Sequence, residues 1–241
     1  LMKSSGVEPE QIQEVVFGNV LTAGVGQAPA RQAALKAGLS ELTPATAINK
    51  VCASGMKAIM IAANQIQLEE ADIIVAGGME SMSNVPYYLN KHRFGSKLGH
   101  AQAQDGIIRD GLWDVYNDFH MGNAAEICAR ECNISRKEQD EFAITSYKRA
   151  IKAHEEGYFD DEIIEMKIKD RKGNVSKVKM DEELKRINYD KVPKLNPVFE
   201  KEGTVTPANA SSINDGAAAV LLMSEKKAEE LGYTPLARIV S

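Results

Sequence analysis

Apolar and polar positions divide the first eighty residues into alternating strand and helix patterns. Residues 15–20 and 72–78 are almost continuously apolar, which predicts strands of a sheet that is covered on both faces. Residues 30–37 and 54–69 repeat apolar positions at helical spacing, and the second segment is apolar on most sides, which predicts a central, buried helix. A further strand is predicted after Pro44. The alternation indicates a layered α/β domain.

The pattern changes after Glu80, where residues 81–118 form a long polar stretch with several glycines. Within it, residues 87–94 combine aromatic and basic side chains. A long loop in a compact domain is usually functional or disordered, so two interpretations stay open. It is either a protruding loop that mediates assembly or a solvated loop with scattered surface aromatics.

Two helices are predicted beyond this loop, at 122–132 and 138–156, and Ser135 begins a capping box at the start of the second. The first helix is predicted to be amphipathic, with these residues in its apolar pattern: Ala125, Ile127, Cys128 and Cys132. The two cysteines lie one helical turn apart. A metal site would need two further ligands, so buried core cysteines are the preferred interpretation.

The last part of the chain returns to strand patterns. Alternation at 163–168 predicts a half-buried strand that forms a hairpin with 175–178. Residues 215–223 are rich in alanine and aliphatic side chains, as in a buried sheet. The segment 81–203 is therefore predicted to be an insertion between two strands of one domain.

Composition places the chain among ordinary globular proteins. Its 241 residues are 44% hydrophobic and 26% charged, and the net charge of −5 argues against a nucleic-acid partner. Three cysteines without a C-x-x-C pair favour a reducing compartment and no disulfide framework. No apolar run is long enough for a membrane span, and no signal peptide opens the chain.

Both ends of the sequence look interrupted. Residues 1–6 resemble the last turn of an amphipathic helix with a glycine stop, and residues 235–240 resemble a strand that is just beginning. We therefore expect the chain to be part of a longer protein.

Cys52 is the candidate for chemistry. It stands where a predicted strand meets a predicted helix, and the unpaired N–H groups at a helix start favour a thiolate over a thiol. The arrangement is similar to the nucleophile elbow of hydrolases, with sulfur in place of a hydroxyl. Position alone leaves a second interpretation open, because free cysteines are often buried and inert.

Several stretches resemble one family. They are NKVCASGMKA, VAGGMESMSNVPY, HMG, KVPKL, GTVTPANASSINDGAAA and PLARIV. Together they are similar to the biosynthetic thiolases of the mitochondrial acetyl-CoA acetyltransferase type, over essentially the whole chain. The resemblance implies a thiolase-like α/β fold of two αβα halves packed as five layers, αβαβα, with a loop domain inserted in the N-terminal half.

The resemblance also implies domain boundaries. Residues 1–80 and 204–231 would form the N-terminal domain without its first strand. Residues 81–203 would be the loop domain that covers the coenzyme A site, and 232–241 would begin the C-terminal domain.

The resemblance implies that Cys52 accepts an acyl group in the reversible condensation of two acetyl-CoA molecules to acetoacetyl-CoA and CoA. The family's catalytic histidine, second cysteine and oxyanion-hole asparagine have no counterpart in this sequence, and Gly99-His100 does not match. We expect them in a C-terminal half, so this piece alone should be inactive. A degradative 3-ketoacyl-CoA thiolase and a non-catalytic fragment that binds CoA or oligomerises remain alternatives.

The resemblance assigns several binding residues. His120 and Met121 would line the pocket near the reactive end of the substrate. Arg186 and Lys191 would hold the adenine and phosphates of coenzyme A, and Ser211 would contact its pantetheine arm. From the residues alone, His120 reads as a surface histidine, and the charged run around Arg186 reads as a solvated face.

A potassium site is a further implication. Tyr147 matches a tyrosine of the substrate and potassium sites, and backbone carbonyls near Pro207, Ala208 and Ala210 would complete the potassium site. Carbonyl oxygens suit a hard monovalent ion. Pro207 departs from the alanine expected there, but proline keeps its carbonyl.

The expected partners are acetyl-CoA, acetoacetyl-CoA and CoA, without a prosthetic group. The family forms homodimers through the N-terminal halves and often homotetramers through the loop domain. The resemblance implies a role in lipid or ketone-body metabolism, in the bacterial cytoplasm or the mitochondrial matrix. It does not imply secretion.

Overall fold

A computed structural model describes residues 1–240. The helices are α1 (Met2–Ser5), α2 (Pro29–Lys36), α3 (Ser54–Gln67), α4 (Met121–Glu131), α5 (Arg136–Glu155) and α6 (Glu225–Leu231). The strands are β1 (Glu14–Gly18), β2 (Ala45–Ile48), β3 (Ile73–Ser81), β4 (Tyr87–Tyr88), β5 (Gln104–Asp105), β6 (Trp113–Asp114), β7 (Phe119–His120), β8 (Met166–Lys169), β9 (Val175–Val178) and β10 (Asp215–Met223). Two compact units are formed, one by residues 1–113 with those from 213 onward, the other by 114–212.

The main sheet of the first unit has the strand order β10-β3-β1-β2. Strand β1 runs parallel to β2 and β3, with Val15 beside both Ala45 and Val75. Strand β10 runs antiparallel to β3 along its whole length, from Asp215 beside Ser81 to Met223 beside Ile73. The chain between β3 and β10 therefore leaves the sheet and returns to it. The boundaries 81–203 and the five-layered arrangement stay predictions.

The core lies on both faces of this sheet, because successive strand residues point to opposite sides. Val15 and Val75 pack with Ala34 of α2 on one face. Val16 and Ile74 pack with Ala58 of α3 on the other. Each fully buried aliphatic side chain contributes about 1.5–3 kcal/mol by leaving water. The predicted strands and helices of residues 1–80, and the predicted layered α/β order, are confirmed.

Glycine lets α3 begin directly against the sheet. A Cβ atom on Gly18, the last residue of β1, would lie 2.4 Å from the carbonyl carbon of Ser54 and 2.5 Å from the nitrogen of Gly55. A Cβ on Gly78 of β3 would lie 3.3 Å from the Cα of Gly55. The first turn of α3 therefore rests on the carboxyl ends of β1 and β3.

The predicted burial was wrong for α3, β10 and β8. Helix α3 buries one face only, and Met56 is 69% exposed. Strand β10 is exposed from Asp215 to Val220, because it lies at the edge of the sheet and no layer formed by residues 1–240 covers it there. The hairpin of β8 and β9 forms as predicted, but β8 is exposed on both faces. The sequence patterns predicted these elements correctly, but they do not show whether a second layer covers them.

The predicted helices of the second unit are present as α4 and α5. The hydroxyl of Ser135 and the carboxylate of Glu138 form the predicted capping box of α5. The apolar pattern predicted for α4 does not mark its buried face, since the residues that it buries are Gly122, Glu126 and Ala129. Cys128 and Cys132 are exposed, so the interpretation as core cysteines was also wrong.

Two predictions concern the ends and the aromatic stretch. Residues 1–6 form the predicted helix stop, with Gly6 in the left-handed region at φ +72°. Residues 235–240 form no strand, contrary to the prediction. In the stretch 87–94, Phe94 is 97% exposed. A role of this stretch in assembly stays a prediction.

Replacing Gly18 with alanine should destabilise the first unit. The new Cβ would meet backbone atoms of α3 that cannot rotate away, so we expect a loss of about 1–3 kcal/mol or more. Urea unfolding followed by circular dichroism measures the change. Gly216→Ala is the matched control, because a Cβ on Gly216 meets nothing within 4 Å. Equal stability of the two variants would contradict the proposed close contact.

Candidate active site

Cys52 lies in the short loop between β2 and α3, two residues before the first residue of the helix. It follows the carboxyl end of β2, and this edge of the sheet also carries the carboxyl ends of β1 and β3, because the three strands are parallel. Ligand sites of α/β sheets commonly lie at such an edge. The side chain is exposed, so the alternative of a buried structural cysteine is wrong.

The residue before Cys52 has an unusual backbone conformation. Val51 has φ +48°, in the left-handed region that β-branched residues rarely adopt. Its N–H donates to Oδ1 of Asn49 at 2.9 Å, and its carbonyl accepts from the hydroxyl of Ser54 at 2.6 Å. The Ser54 hydroxyl also accepts the N–H of Lys50 at 2.8 Å. Sequence reasoning missed this turn, because a valine gives no signal of a positive φ.

The loop after β1 is tied to the end of β3 by one carboxylate. Glu80 accepts from the side-chain amide of Asn19 at 2.9 Å and from the backbone N–H groups of Val20 and Leu21 at 2.9 and 3.0 Å. The carbonyl of Val20 in turn accepts from the side-chain amide of Asn49 at 3.5 Å. Glu80 thus fixes the loop that borders the Cys52 turn.

His120 lies in the second unit, at the N-terminal cap of α4. Its Nδ1 accepts the N–H of Gly122 at 2.9 Å, and its ring stacks on Phe199 with centroids 4.9 Å apart. The ring is held on two sides, unlike a freely solvated surface histidine. Met121 is the first residue of α4 and is partly exposed.

Tyr147 and Arg186 lie close to the same carboxylate of the second unit. Burial, and after it the charge of Glu183, raise the pKa of Tyr147. Glu183 also pairs with Arg186, Nη1 to Oε1, at 3.5 Å. Arg186 and Lys191 are both exposed, each next to a short 3₁₀ turn. The structure therefore brings Tyr147 and Arg186 to one side of this unit.

A buried carboxylate of α4 holds the start of the segment 204–211. Glu126 is only 1% exposed. It accepts the N–H of Thr204 at 2.8 and 2.9 Å, the hydroxyl of Thr204 at 2.9 Å and the N–H of Val205 at 2.8 Å. Burial alone would raise the pKa of Glu126, but these hydrogen bonds and the charge of Arg130 outweigh it and hold the pKa below its ordinary value.

A carboxylate of α5 holds the middle of the same segment. Asp140 is 5% exposed and accepts from Nε of Arg136 at 2.8 Å and from the amide of Asn209 at 3.0 Å. The side-chain Oδ1 of Asn209 accepts the N–H of Thr206 at 2.7 Å. The loop with Pro207, Ala208 and Ala210 is fixed in this way, and Ser211 beyond it is exposed. Potassium binding there stays a prediction, as do the other assigned binding roles.

A match to known proteins decides the family. Residues 1–226 match the family described as thiolase, N-terminal domain. The chain belongs to the thiolase family. The recognition made from the sequence motifs is confirmed, and with it the α/β fold class.

Three similar proteins show how much of their length this chain represents. It is 52% identical to a probable acetyl-CoA acetyltransferase of Dictyostelium discoideum, covering 99% of this chain and 58% of that protein. It is 53% identical to an acetyl-CoA acetyltransferase of Cupriavidus necator, covering 100% and 61%. It is 52% identical to the mitochondrial acetyl-CoA acetyltransferase of Homo sapiens, covering 100% and 56%. The chain thus spans about 60% of the length of these relatives.

Two further structural facts bear on the thiolase. Within residues 1–240, no helix has the length and apolar character that crossing a membrane requires. In the same residues, no three His, Cys, Asp or Glu side chains come together as a metal site.

Glu126 and Asp140, which order the motif GTVTPANASS, were not predicted. A buried acid within a helix has the same sequence signature as a solvated one.

Replacing Glu126 with glutamine should destabilise the second unit of the thiolase. The glutamine amide would face the N–H groups of Thr204 and Val205, so we expect a loss of about 2–4 kcal/mol near neutral pH. Thermal and urea unfolding measure the change. Glu131→Gln, an exposed acid on the same helix, is the matched control and should have little effect.

The pH dependence supplies a second test of the Glu126 variant. Because the folded pKa of Glu126 lies below its usual 4.5, its carboxylate stabilises the fold above that value, and this stabilisation is lost as the pH falls through the folded pKa. The natural protein should therefore lose stability on acidification more steeply than Glu126→Gln. Identical acid unfolding profiles would contradict this role.

Proposed function

We propose that the full-length protein is an acetyl-CoA C-acetyltransferase that condenses two acetyl-CoA molecules to acetoacetyl-CoA and CoA. The observation that carries the proposal is the exposed Cys52 at the start of α3, in a chain of the thiolase family. The names of similar relatives, acetyl-CoA acetyltransferases at 52–53% identity over the whole chain, support this substrate class.

The first half of the proposed reaction transfers an acetyl group to Cys52. The thiolate attacks the thioester carbonyl, a carbon–sulfur bond forms, and the carbonyl electrons move to oxygen. Collapse of this intermediate expels the CoA thiolate and leaves an acetyl-cysteine. Sulfur suits both directions, because a thiolate is a strong nucleophile and also a good leaving group.

The oxyanion of that intermediate needs fixed donors. The backbone N–H of Cys52 is one donor in this proposal, because it belongs to the nucleophile itself, one residue before the N-terminal cap of α3.

The second half of the reaction forms a carbon–carbon bond. A second acetyl-CoA loses a proton from its α-carbon, and the resulting enolate attacks the acetyl-cysteine. The bond to sulfur breaks, and acetoacetyl-CoA and the Cys52 thiolate are released. We assign no acid–base residue for this step, because the family's histidine and second cysteine motifs do not occur in these 241 residues.

The proposed coenzyme A site uses residues of the second unit. Arg186 and Lys191 bind phosphate groups, Ser211 contacts the pantetheine arm, and His120 and Met121 lie near the reactive end. The ion pairs of Arg186 with Glu182 and Glu183 are exposed, at 3.7 and 3.5 Å. Exposed pairs are worth at most about 1 kcal/mol, so a phosphate can replace them.

Three further proposals follow from the family resemblance. Potassium binds at Tyr147 and the carbonyls of Pro207, Ala208 and Ala210, where the loop is already ordered by Asp140.

The protein assembles as a homodimer or homotetramer. It acts in the bacterial cytoplasm or the mitochondrial matrix, since relatives from both bacteria and mitochondria are similar to it.

Acetylation of Cys52 tests the proposed chemistry. Incubating the full-length natural protein with acetyl-CoA should add one acetyl group, mapped to Cys52 by peptide mass spectrometry. Cys52→Ala should lower turnover by about a thousandfold or more, because the covalent route is lost. Cys128→Ser, at another exposed cysteine, is the matched control and should retain both properties. Unchanged turnover of Cys52→Ala would refute the proposal.

Substrate length decides between the acetyl-CoA acetyltransferase and a degradative thiolase. Thiolysis of acetoacetyl-CoA should exceed thiolysis of longer 3-ketoacyl-CoA esters in kcat/KM. A preference for the longer esters would support the degradative activity instead.

Removing the two cations tests the coenzyme A site. The double variant Arg186→Ala, Lys191→Ala should raise KM for CoA in thiolysis by about tenfold or more, because two charge-assisted contacts to phosphate are lost. The control is Arg171→Ala, Lys172→Ala, which removes the same charge from an exposed hairpin turn. If both double variants have the same KM, the cations do not bind phosphate.

A further inference from the structure

Two side chains close the turn before Cys52, and both bond to Val51. Oδ1 of Asn49 accepts the N–H of Val51 at 2.9 Å, and the hydroxyl of Ser54 donates to the carbonyl of Val51 at 2.6 Å. The backbone N–H of Ser54 donates to the same carbonyl at 3.0 Å. Both polar groups of this one residue are therefore occupied within the segment 49–54.

The conformation that these bonds hold is an unfavourable one for valine. At φ +48° the branched side chain crowds the backbone, and an unrestrained valine would return to the extended region. Such strain persists only where surrounding contacts enforce it. The bonds from Asn49 and Ser54 are the contacts that do so here.

The Ser54 hydroxyl is itself fixed. Ser54 is 4% exposed, and its Oγ accepts the N–H of Lys50 at 2.8 Å, which leaves its own proton for Val51. Behind it, a Cβ on Gly18 would lie 2.6 Å from the Ser54 Cβ, so the sheet supports the serine directly.

Asn49 is supported from the other side. Its amide donates to the carbonyl of Val20 at 3.5 Å, and the N–H of Val20 donates to Glu80 at 2.9 Å. The turn is therefore connected to the ends of both β1 and β3.

We propose that Asn49 and Ser54 are positioning residues for acyl transfer, which orient the peptide between Val51 and Cys52 so that the Cys52 N–H faces the oxygen of the thioester. The proposal rests on the proposed function of Cys52. A peptide group is planar, and its C=O and N–H point in opposite directions. Fixing the Val51 carbonyl through Ser54 therefore fixes the direction of the Cys52 N–H.

The bond from Ser54 has a second effect. A hydrogen bond to a carbonyl polarises the whole peptide and strengthens its N–H as a donor. Orientation and polarity of the Cys52 N–H matter only when negative charge develops on the substrate oxygen. They matter little for a reaction of the sulfur that forms no oxyanion.

This difference gives the test. Acetylation of Cys52 by acetyl-CoA passes through an oxyanion, whereas alkylation by iodoacetamide is a displacement at a saturated carbon. Both rates are measured at Cys52 in the full-length protein over a range of pH. In Ser54→Ala and in Asn49→Ala, acetylation should slow by about tenfold or more, while alkylation should change by less than about threefold.

Matched variants separate positioning from general damage. Asn49→Ser keeps a short side-chain acceptor for the Val51 N–H and should recover most of the acetylation rate. Ser40→Ala removes a hydroxyl that also accepts a backbone N–H, from Leu42 at 3.1 Å, and should leave both rates unchanged. Circular dichroism shows whether each variant is folded. If buried Ser54→Ala does not fold, the exposed Asn49→Ala and Asn49→Ser pair decides.

If acetylation and alkylation slow in parallel, or if acetylation does not slow, the positioning role is wrong. Cys52 would still be the nucleophile. If Cys52 of the natural protein is not acetylated by acetyl-CoA, the proposed function is wrong, and the positioning role is wrong with it.

Discussion

The contact of the first turn of α3 with the sheet is the constraint on which the Cys52 region depends. Gly18 and Gly78 leave no side chain between the strands and Gly55, so the helix begins directly over the carboxyl ends of β1 and β3. This contact buries Ser54, and the buried hydroxyl of Ser54 then closes the turn that carries Cys52. Overpacking at the glycines would therefore move the nucleophile as well as reduce stability.

The second unit is stabilised in a different way. There, Glu126 and Asp140 hold the segment 204–211 by hydrogen bonds from its backbone and from Asn209. A buried carboxylate is costly unless its oxygens accept hydrogen bonds, and each oxygen of Glu126 and Asp140 does so. A segment of small residues packs few side-chain atoms, so polar anchors replace the apolar contacts that it lacks. The low pKa of Glu126 is the electrostatic consequence of this anchoring.

Sequence patterns predicted the strands and helices of residues 1–80 and the helices α4 and α5, but not their environment. Apolar runs located β1 and β3, and the spacing of Ser135 and Glu138 located the start of α5. The exposure of β10 could not be predicted, because a strand's composition does not show whether a layer covers it. The positive φ of Val51 could not be predicted either, since it is imposed by Asn49 and Ser54 and not by valine itself. The motif around Cys52 was nevertheless enough to identify the family.

Activating the sulfur and stabilising the oxyanion place different demands on this turn. Attack by the sulfur itself does not require any one neighbouring N–H group to point in a fixed direction. An oxyanion donor must point in one direction, and a flexible loop would leave that direction undefined. A strained residue bonded at both its N–H and its carbonyl has little freedom to rotate. The strain at Val51 therefore fits a turn that is shaped for acyl transfer. Holding a reactive cysteine alone would not require this strain.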